Sequence, residues 1–314
     1  MKVVVFGAGA VGSFWGGLLA RAGHDVRFIA RGAQLAALEA EGLRIASNVL
    51  GEVTINPVRA AAAAAGGEPA DLVLLSVKTH QMAPVFEDLS AVVAPRTVVM
   101  ALQNGVEADD LLRARWGDNR VLSAVVYVGA SIESPGVVRH VARGLLLVGN
   151  PYGVPGERYA EVLDTLAAPG LAVRAVDDIH RERWYKLMWN TSFNAASALT
   201  LQASRPLLDE PAARAVIDAC MREVAAVGRA RGVHITDADV DKSLAETEKL
   251  PPIRTSMLED REHGRQMEVE ALVGAVVRFG RDACVATPVT STLYGLLKGM
   301  RPGPPGPDSA RARG

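Results

Sequence analysis

Cysteine is scarce in this chain. Its 314 residues include two, Cys220 and Cys284, far apart and in no metal-ligand spacing. They read as buried thiols of a reducing, cytoplasmic protein. Six histidines are present (His24, His80, His140, His180, His234 and His263), and no two share a helix face at ligand spacing. No structural metal is expected. Neither charge sign is in excess, with a formal net charge of −1. A field that would recruit nucleic acid or anionic lipid is therefore missing. No internal repeat is visible. With 49% hydrophobic and 22% charged residues, the composition is that of an ordinary globular chain long enough for two domains.

Charge is also missing from Val3 to Ala20, directly after Lys2. Such a run resembles an export signal or a membrane span. Gly7, Gly9, Gly12, Gly16 and Gly17 argue against a continuous apolar helix. They fit a strand, a turn and a helix instead. Lys2-Val3-Val4-Val5-Phe6 is a β-branched run that leads into Gly7-Ala8-Gly9-Ala10-Val11-Gly12. This G-x-G-x-x-G sits between a strand and a helix, the context a dinucleotide site requires. Gly7 allows the tight turn, Gly9 lets a pyrophosphate approach, and Gly12 lets the helix pack close.

His24 to Ala30 reads as the second strand, with Gly23 closing the helix before it. An acid near its end would accept from a ribose 2′-hydroxyl. The chain has Ala30-Arg31-Gly32 there. A guanidinium without an acid suits a 2′-phosphate, and so NADPH, the plain alternative being a solvated surface arginine.

Further apolar runs at 71–77, 97–102, 121–128 and 145–148 alternate with helical patterns such as 34–40. Ser134-Pro135-Gly136 marks a turn. Alanines 60–65, followed by Gly66-Gly67, read as a short helix and its stop. The alternation predicts a doubly wound parallel sheet extended by antiparallel strands at one edge. After about Val176 long helical patterns dominate, over 181–198, 210–231, 238–249, 254–262, 268–280 and 288–300. The expected fold class is α/β: a Rossmann-type sheet domain over 1–176 that binds NADP, and an all-helical domain over 177–300. The Pro-, Gly- and Arg-rich tail, 301–314, is expected to be disordered.

Lys186, Asn190 and Asn194 fall at i, i+4 and i+8, on one helical face. That face is either a solvated stripe or a hydrogen-bonding one, and the residues alone leave both open. Asn104-Gly105 follows an apolar strand, at the edge where doubly wound sheets bind ligands, although Asn-Gly also makes simple turns. Ser256 and Glu268 stand at helix starts, where capping is the plain alternative.

These pieces together resemble the ketopantoate reductases (2-dehydropantoate 2-reductases). The matching segments are Gly7–Gly12, Gly23-His24-Asp25-Val26 leading to Ala30-Arg31-Gly32, Val77-Lys78, and Gln103-Asn104-Gly105-Val106-Glu107. They continue with Lys186-Leu187, Asn190, Asn194, and Thr255-Ser256-Met257-Leu258 through Gly264-Arg265 to Glu268. The resemblance implies that Lys186 protonates the ketone oxygen of a 2-oxo acid. It places Asn104 between cofactor and substrate, and Asn190, Asn194 and Ser256 on the substrate. Glu268 would contact the cofactor ribose and orient the lysine. Arg31 and Lys78 would hold the adenine side of NADPH, and Ala130 joins the cofactor-binding set. The chain departs from the family's pattern at Ala203-Ser204-Arg205-Pro206, where Ser204 would still hydrogen-bond substrate and Arg205 would add a cation near the pocket, which leaves the exact 2-oxo acid open.

The implied reaction is NADPH-dependent reduction of 2-dehydropantoate to (R)-pantoate, in pantothenate and coenzyme A biosynthesis. The alternatives are a D-2-hydroxyacid dehydrogenase acting on another 2-oxo acid and a non-catalytic NADP-binding regulator. The expected partner is a small-molecule 2-oxo acid, with no nucleic acid and no membrane. Homodimer formation is compatible with the sequence.

Overall fold

The computed structural model describes residues 1–167 and 172–300. The tail expected to be disordered lies outside them. The chain divides into two compact units, Met1–Ile179 and the remainder from His180.

The first unit is built on one sheet. β1 (Lys2–Phe6), α1 (Ala10–Arg21), β2 (Asp25–Ile29) and α2 (Gly32–Ala40) come first. The hairpin of β3 (Leu43–Ser47) and β4 (Gly51–Ile55) follows, then β5 (Arg59–Ala61). β6 (Leu72–Leu75), α3 (Met82–Ser90), β7 (Val98–Ala101) and α4 (Ala108–Trp116) continue the alternation. A long hairpin, β8 (Val121–Ser134) and β9 (Val137–Gly149), precedes α5 (Gly156–Ala167) and β10 (Ala172–Ala175).

The strand order is β4-β3-β9-β8-β7-β6-β1-β2-β5, with β10 beside β9. From β5 to β8 all neighbours are parallel. The β3–β4 and β8–β9 pairs are antiparallel. The chain winds from β1 out to β5, then restarts at β6 on the other side of β1. This reversal opens a crevice at the carboxyl edge of the parallel strands.

The valine and leucine runs become strands because both of their faces are covered. Val3, Val5, Leu72, Leu74 and Met100 pack with Phe14 and Leu18 of α1. Val4, Phe6, Val73, Leu75 and Val99 face the other way, toward Val85 and Leu89 of α3 and Leu112 of α4. Burying each such side chain contributes roughly 1.5–3 kcal/mol. The uncharged stretch is thus β1 and α1. No helix of the described residues is long and apolar enough to cross a membrane.

Alanines 60–65 do not form the expected helix. Ala60 and Ala61 lie in β5, and the Ala30 N–H donates to the Ala61 carbonyl at 3.0 Å. The Asp88 carboxylate takes the N–H groups of Ala64 and Ala65, at 2.9 and 3.0 Å. Alanine's helix preference amounts to only tenths of a kcal/mol per residue, so pairing with β2 outweighs it. The β8–β9 hairpin also runs further than the apolar runs suggested. Its turn is at Pro135-Gly136, where Gly136 has φ +76°.

The second unit is helical. α6 (Ile179–Trp189) runs into a π-helical segment (Asn190–Asn194) and α7 (Ala195–Thr200). α8 (Ser204–Asp209), α9 (Pro211–Ala230), α10 (Asp237–Glu248) and α11 (Ser256–Glu262) follow. A second π segment (Glu270–Gly274) leads into α12 (Ala275–Asp282), and α13 (Pro288–Gly299) ends the unit. Trp184, Leu187, Met188 and Phe193 are buried, as are Ile217, Met221 and Val224 of α9.

Candidate active site

In the first unit, the candidate cofactor residues gather at the carboxyl edge of the parallel strands. Gly7 ends β1 with φ +100°, a conformation that L side chains resist. A Cβ there would also lie 2.8 Å from Val77. Gly12 is forced by close approach, since its Cβ would fall 2.2 Å from both the Gly7 carbonyl and the Ser76 hydroxyl. That hydroxyl donates to the Gly7 carbonyl at 2.5 Å and braces the turn.

Gly9 differs. It is exposed, and a Cβ added to it would meet no protein atom within 4 Å. It is the N-cap of α1, and no side chain caps that end. The first turn of the helix therefore presents its N–H groups and its positive dipole end to open space beside Ala8, Ala10 and Val11. Such a cradle fits a pyrophosphate.

The other candidates stand at neighbouring strand ends. Arg31 is exposed, follows β2 and caps α2 with extended backbone. Lys78 follows β6, half-buried, at the start of a single 3-10 turn. Asn104, half-buried, follows β7, and Gly105 makes the turn with φ +93°. Ala130 lies half-buried in β8, opposite His140. The chain neighbours of Arg31 are Ala30 and Gly32, neither of them an acid. The residues present fit a nicotinamide dinucleotide.

Gln103 was assigned no role from the sequence. Both polar atoms of its amide are buried without a partner among the described residues. A glutamine at a strand end reads as an ordinary edge residue, so periodicity carries no signal for it.

In the second unit, Lys186 is half-buried on α6. Asn190 is 6% exposed and Asn194 2%. Neither carboxamide makes a side-chain hydrogen bond to another described residue. A solvated stripe would be exposed, so that reading fails. The amide atoms of Asn190 and Asn194 are not among the fully buried ones that lack a partner, so each keeps some access to open space.

The π segment tightens the stripe. Four α-helical steps overshoot a full turn by about 40°. Four steps in the wider π turn fall short by roughly 30°. Lys186 to Asn190 takes the first path and Asn190 to Asn194 the second, so the two errors nearly cancel. Lys186 and Asn194 thereby come back almost into line.

Ser256 is exposed at the first position of α11. The cap is its neighbour Thr255, whose hydroxyl accepts from the Leu258 N–H at 3.2 Å. Ser256 is thus left out of the cap. α11 packs on α7 and on the first π segment. The Arg261 guanidinium ties it there by donating to the carbonyls of Ala198 and Leu199. Glu259, one turn beyond Ser256, is half-buried, and burial pushes its carboxyl above the usual range. Glu268 is half-buried at the head of the second π-containing helix, where its carbonyl accepts from the Leu272 N–H at 3.2 Å.

Ser204 is buried, and its hydroxyl accepts from the Ile253 N–H at 2.9 Å. It pins α8 to the segment before α11. Arg205 donates to Asp209 at 2.9 Å and to the Glu248 carbonyl at 2.7 Å. Its charge serves the end of α10.

A cation, two neutral amides and a hydroxyl suit an anionic substrate with a reducible carbonyl. Residues 3–152 match the ketopantoate reductase PanE/ApbA family model, and residues 178–301 match the model of that family's C-terminal part. The chain belongs to the ketopantoate reductase family. It is an NAD(P)H-dependent oxidoreductase of that type. It is 35% identical to the 2-dehydropantoate 2-reductase of Mesorhizobium japonicum, over 95% of this chain and 97% of that protein. The solved 2-dehydropantoate 2-reductase of Methylococcus capsulatus is similar along the whole chain. Its TM-score is 0.86 at 33% identity, with 100% of this chain and 98% of that one covered. A D-mandelate dehydrogenase solved with NADH and anilino(oxo)acetate shares the fold, with a TM-score of 0.87 at 24% identity over 95% of this chain and 97% of that one.

Proposed function

We propose that this ketopantoate reductase family member uses NADPH to reduce 2-dehydropantoate to (R)-pantoate, the step that serves pantothenate synthesis. The observation that carries this reading is the nearly buried pair Asn190 and Asn194, on the same helical side as Lys186, whose amides make no side-chain hydrogen bond among the described residues. Those carboxamides are built for a ligand with its own donors and acceptors. A 2-oxo acid bearing a hydroxyl supplies both.

The dinucleotide, when bound, supplies the hydride. Addition to the carbonyl carbon puts negative charge on the carbonyl oxygen. Lys186 donates its proton to that oxygen, and the product is a 2-hydroxy acid. Before that transfer, the ammonium already stabilises the growing charge. Asn190, Asn194 and Ser256 hold the carboxylate and hydroxyl groups without adding charge. Asn104 orients the reacting partners, and Glu268 orients the lysine. The N-terminal turn of α1, together with Gly9, receives the pyrophosphate. Arg31 takes the 2′-phosphate and Lys78 the adenine-side ribose, which favours NADPH over NADH.

The test is NADPH oxidation by the purified protein with a panel of 2-oxo acids, linear, branched, hydroxylated and aromatic. Ketopantoate should give the highest kcat/KM. A preference of tenfold or more for an aromatic acid, or no turnover with any, overturns the proposal.

A further inference from the structure

The helix that carries Asn190 and Asn194 and the helix headed by Glu268 each contain a π segment. Such segments are rare, and they disturb the regular ladder of carbonyl acceptors. Two buried hydroxyls take up carbonyls here. Ser192 donates within its own helix, to Met188 at 3.0 Å and to Trp189 at 3.2 Å. Thr191 instead reaches across, and its hydroxyl donates to the Leu272 carbonyl at 2.9 Å. Thr191 and Leu272 are both almost fully buried, so water cannot replace this bond. Leu272 also donates its N–H to the Glu268 carbonyl. One residue thus links Thr191 to the acid's own backbone.

We propose that Thr191 is a positioning residue, whose hydroxyl locks the two π segments together. It holds Asn190 and Asn194 in register with Glu268. The inference rests on the reading that these residues serve the reduction. A slip of the lock would shift the amides, the lysine stripe and the acid together. Misplacement of about 1 Å costs up to roughly a hundredfold in rate.

The test compares Thr191→Val, which keeps the shape and loses the donor, with Thr191→Ser, which keeps the donor. Amide hydrogen exchange over 188–196 and 268–276 is measured with steady-state kinetics. Thr191→Val should raise exchange in both segments together. It should lower kcat on the best 2-oxo acid by about tenfold or more, with KM for NADPH within about twofold of the parent. Thr191→Ser should restore both readouts. Unchanged exchange in either segment, or a Thr191→Val enzyme with parental kcat, overturns the proposal. If Thr191→Val does not fold, Thr191→Ser decides alone: parental exchange and kcat support the lock, and loss of either overturns it. A parent inactive on every 2-oxo acid would sink the functional reading, and the exchange measurement would still decide the lock.

Discussion

Replacing Asn194 by alanine should separate stability from substrate binding. Asn194 is 2% exposed, and its amide has no side-chain hydrogen bond among the described residues. Truncating a buried residue leaves a cavity, and for so few atoms that costs about 1–2 kcal/mol. The amide atoms of Asn194 are not among the fully buried ones that lack a partner, so removing them returns little. The unfolding free energy of Asn194→Ala should fall by only about 1–2 kcal/mol. The amide's bond to the bound 2-oxo acid is lost outright, at about 1–3 kcal/mol. KM for that acid should rise between roughly fivefold and a hundredfold. Urea unfolding and steady-state kinetics on the same preparation provide both numbers. A loss of 2–3 kcal/mol in stability with KM unchanged would make Asn194 an ordinary core residue and refute the argument.

Other outcomes follow from single sites. Arg31→Ala should lower the NADPH-to-NADH preference by about tenfold or more, read as the ratio of kcat/KM values, and an unchanged ratio removes Arg31 from phosphate recognition. Gln103→Met deletes two orphaned polar atoms, so unfolding free energy should rise by about 1 kcal/mol, and a clear loss would reveal a partner for the amide. His140 is buried, its Nδ1 shared with the Ser47 hydroxyl at 2.7 Å and its Nε2 against the Arg143 carbonyl at 3.0 Å. Burial holds it below its ordinary value of 6.5, so the unfolded chain binds the proton first. Stability is therefore complete well above pH 6.5 and declines as pH falls through that value. His140→Gln should flatten the slope of Tm between about pH 7 and 5.5, and an unchanged slope would show that His140 does not carry it.

Much of this architecture could be read from residues alone, for identifiable reasons. The β1–turn–α1 unit is legible because Gly7 and Gly12 answer steric demands that no other residue meets. The carboxyl-edge placement of Arg31 and Asn104 followed from the runs before them, which alternate between two covered faces, whereas Lys78 stood out only through the family resemblance. Residues 60–65 misled because alanine's intrinsic preference is weak against pairing with a neighbouring strand. The far half of the β8–β9 hairpin was missed because register shifts near Tyr127, Gly129 and Ile132 break the two-residue period. The π segments were invisible for a different reason. A spacing of four suits an α-helix and a π turn almost equally, and the wider turn is set by packing between helices. Burial of the two amides, which sets the stripe apart from a solvated face, also depends on tertiary contacts.

The central claim is that Lys186 donates the proton as hydride reaches the carbonyl. The most direct measurement is single-turnover NADPH oxidation with ketopantoate by Lys186→Ala, alongside an NADPH titration of the same protein. The account predicts NADPH affinity within about threefold of the parent and a turnover rate lower by about a hundredfold or more. A folded Lys186→Ala protein that binds NADPH and turns over at the parental rate would contradict it.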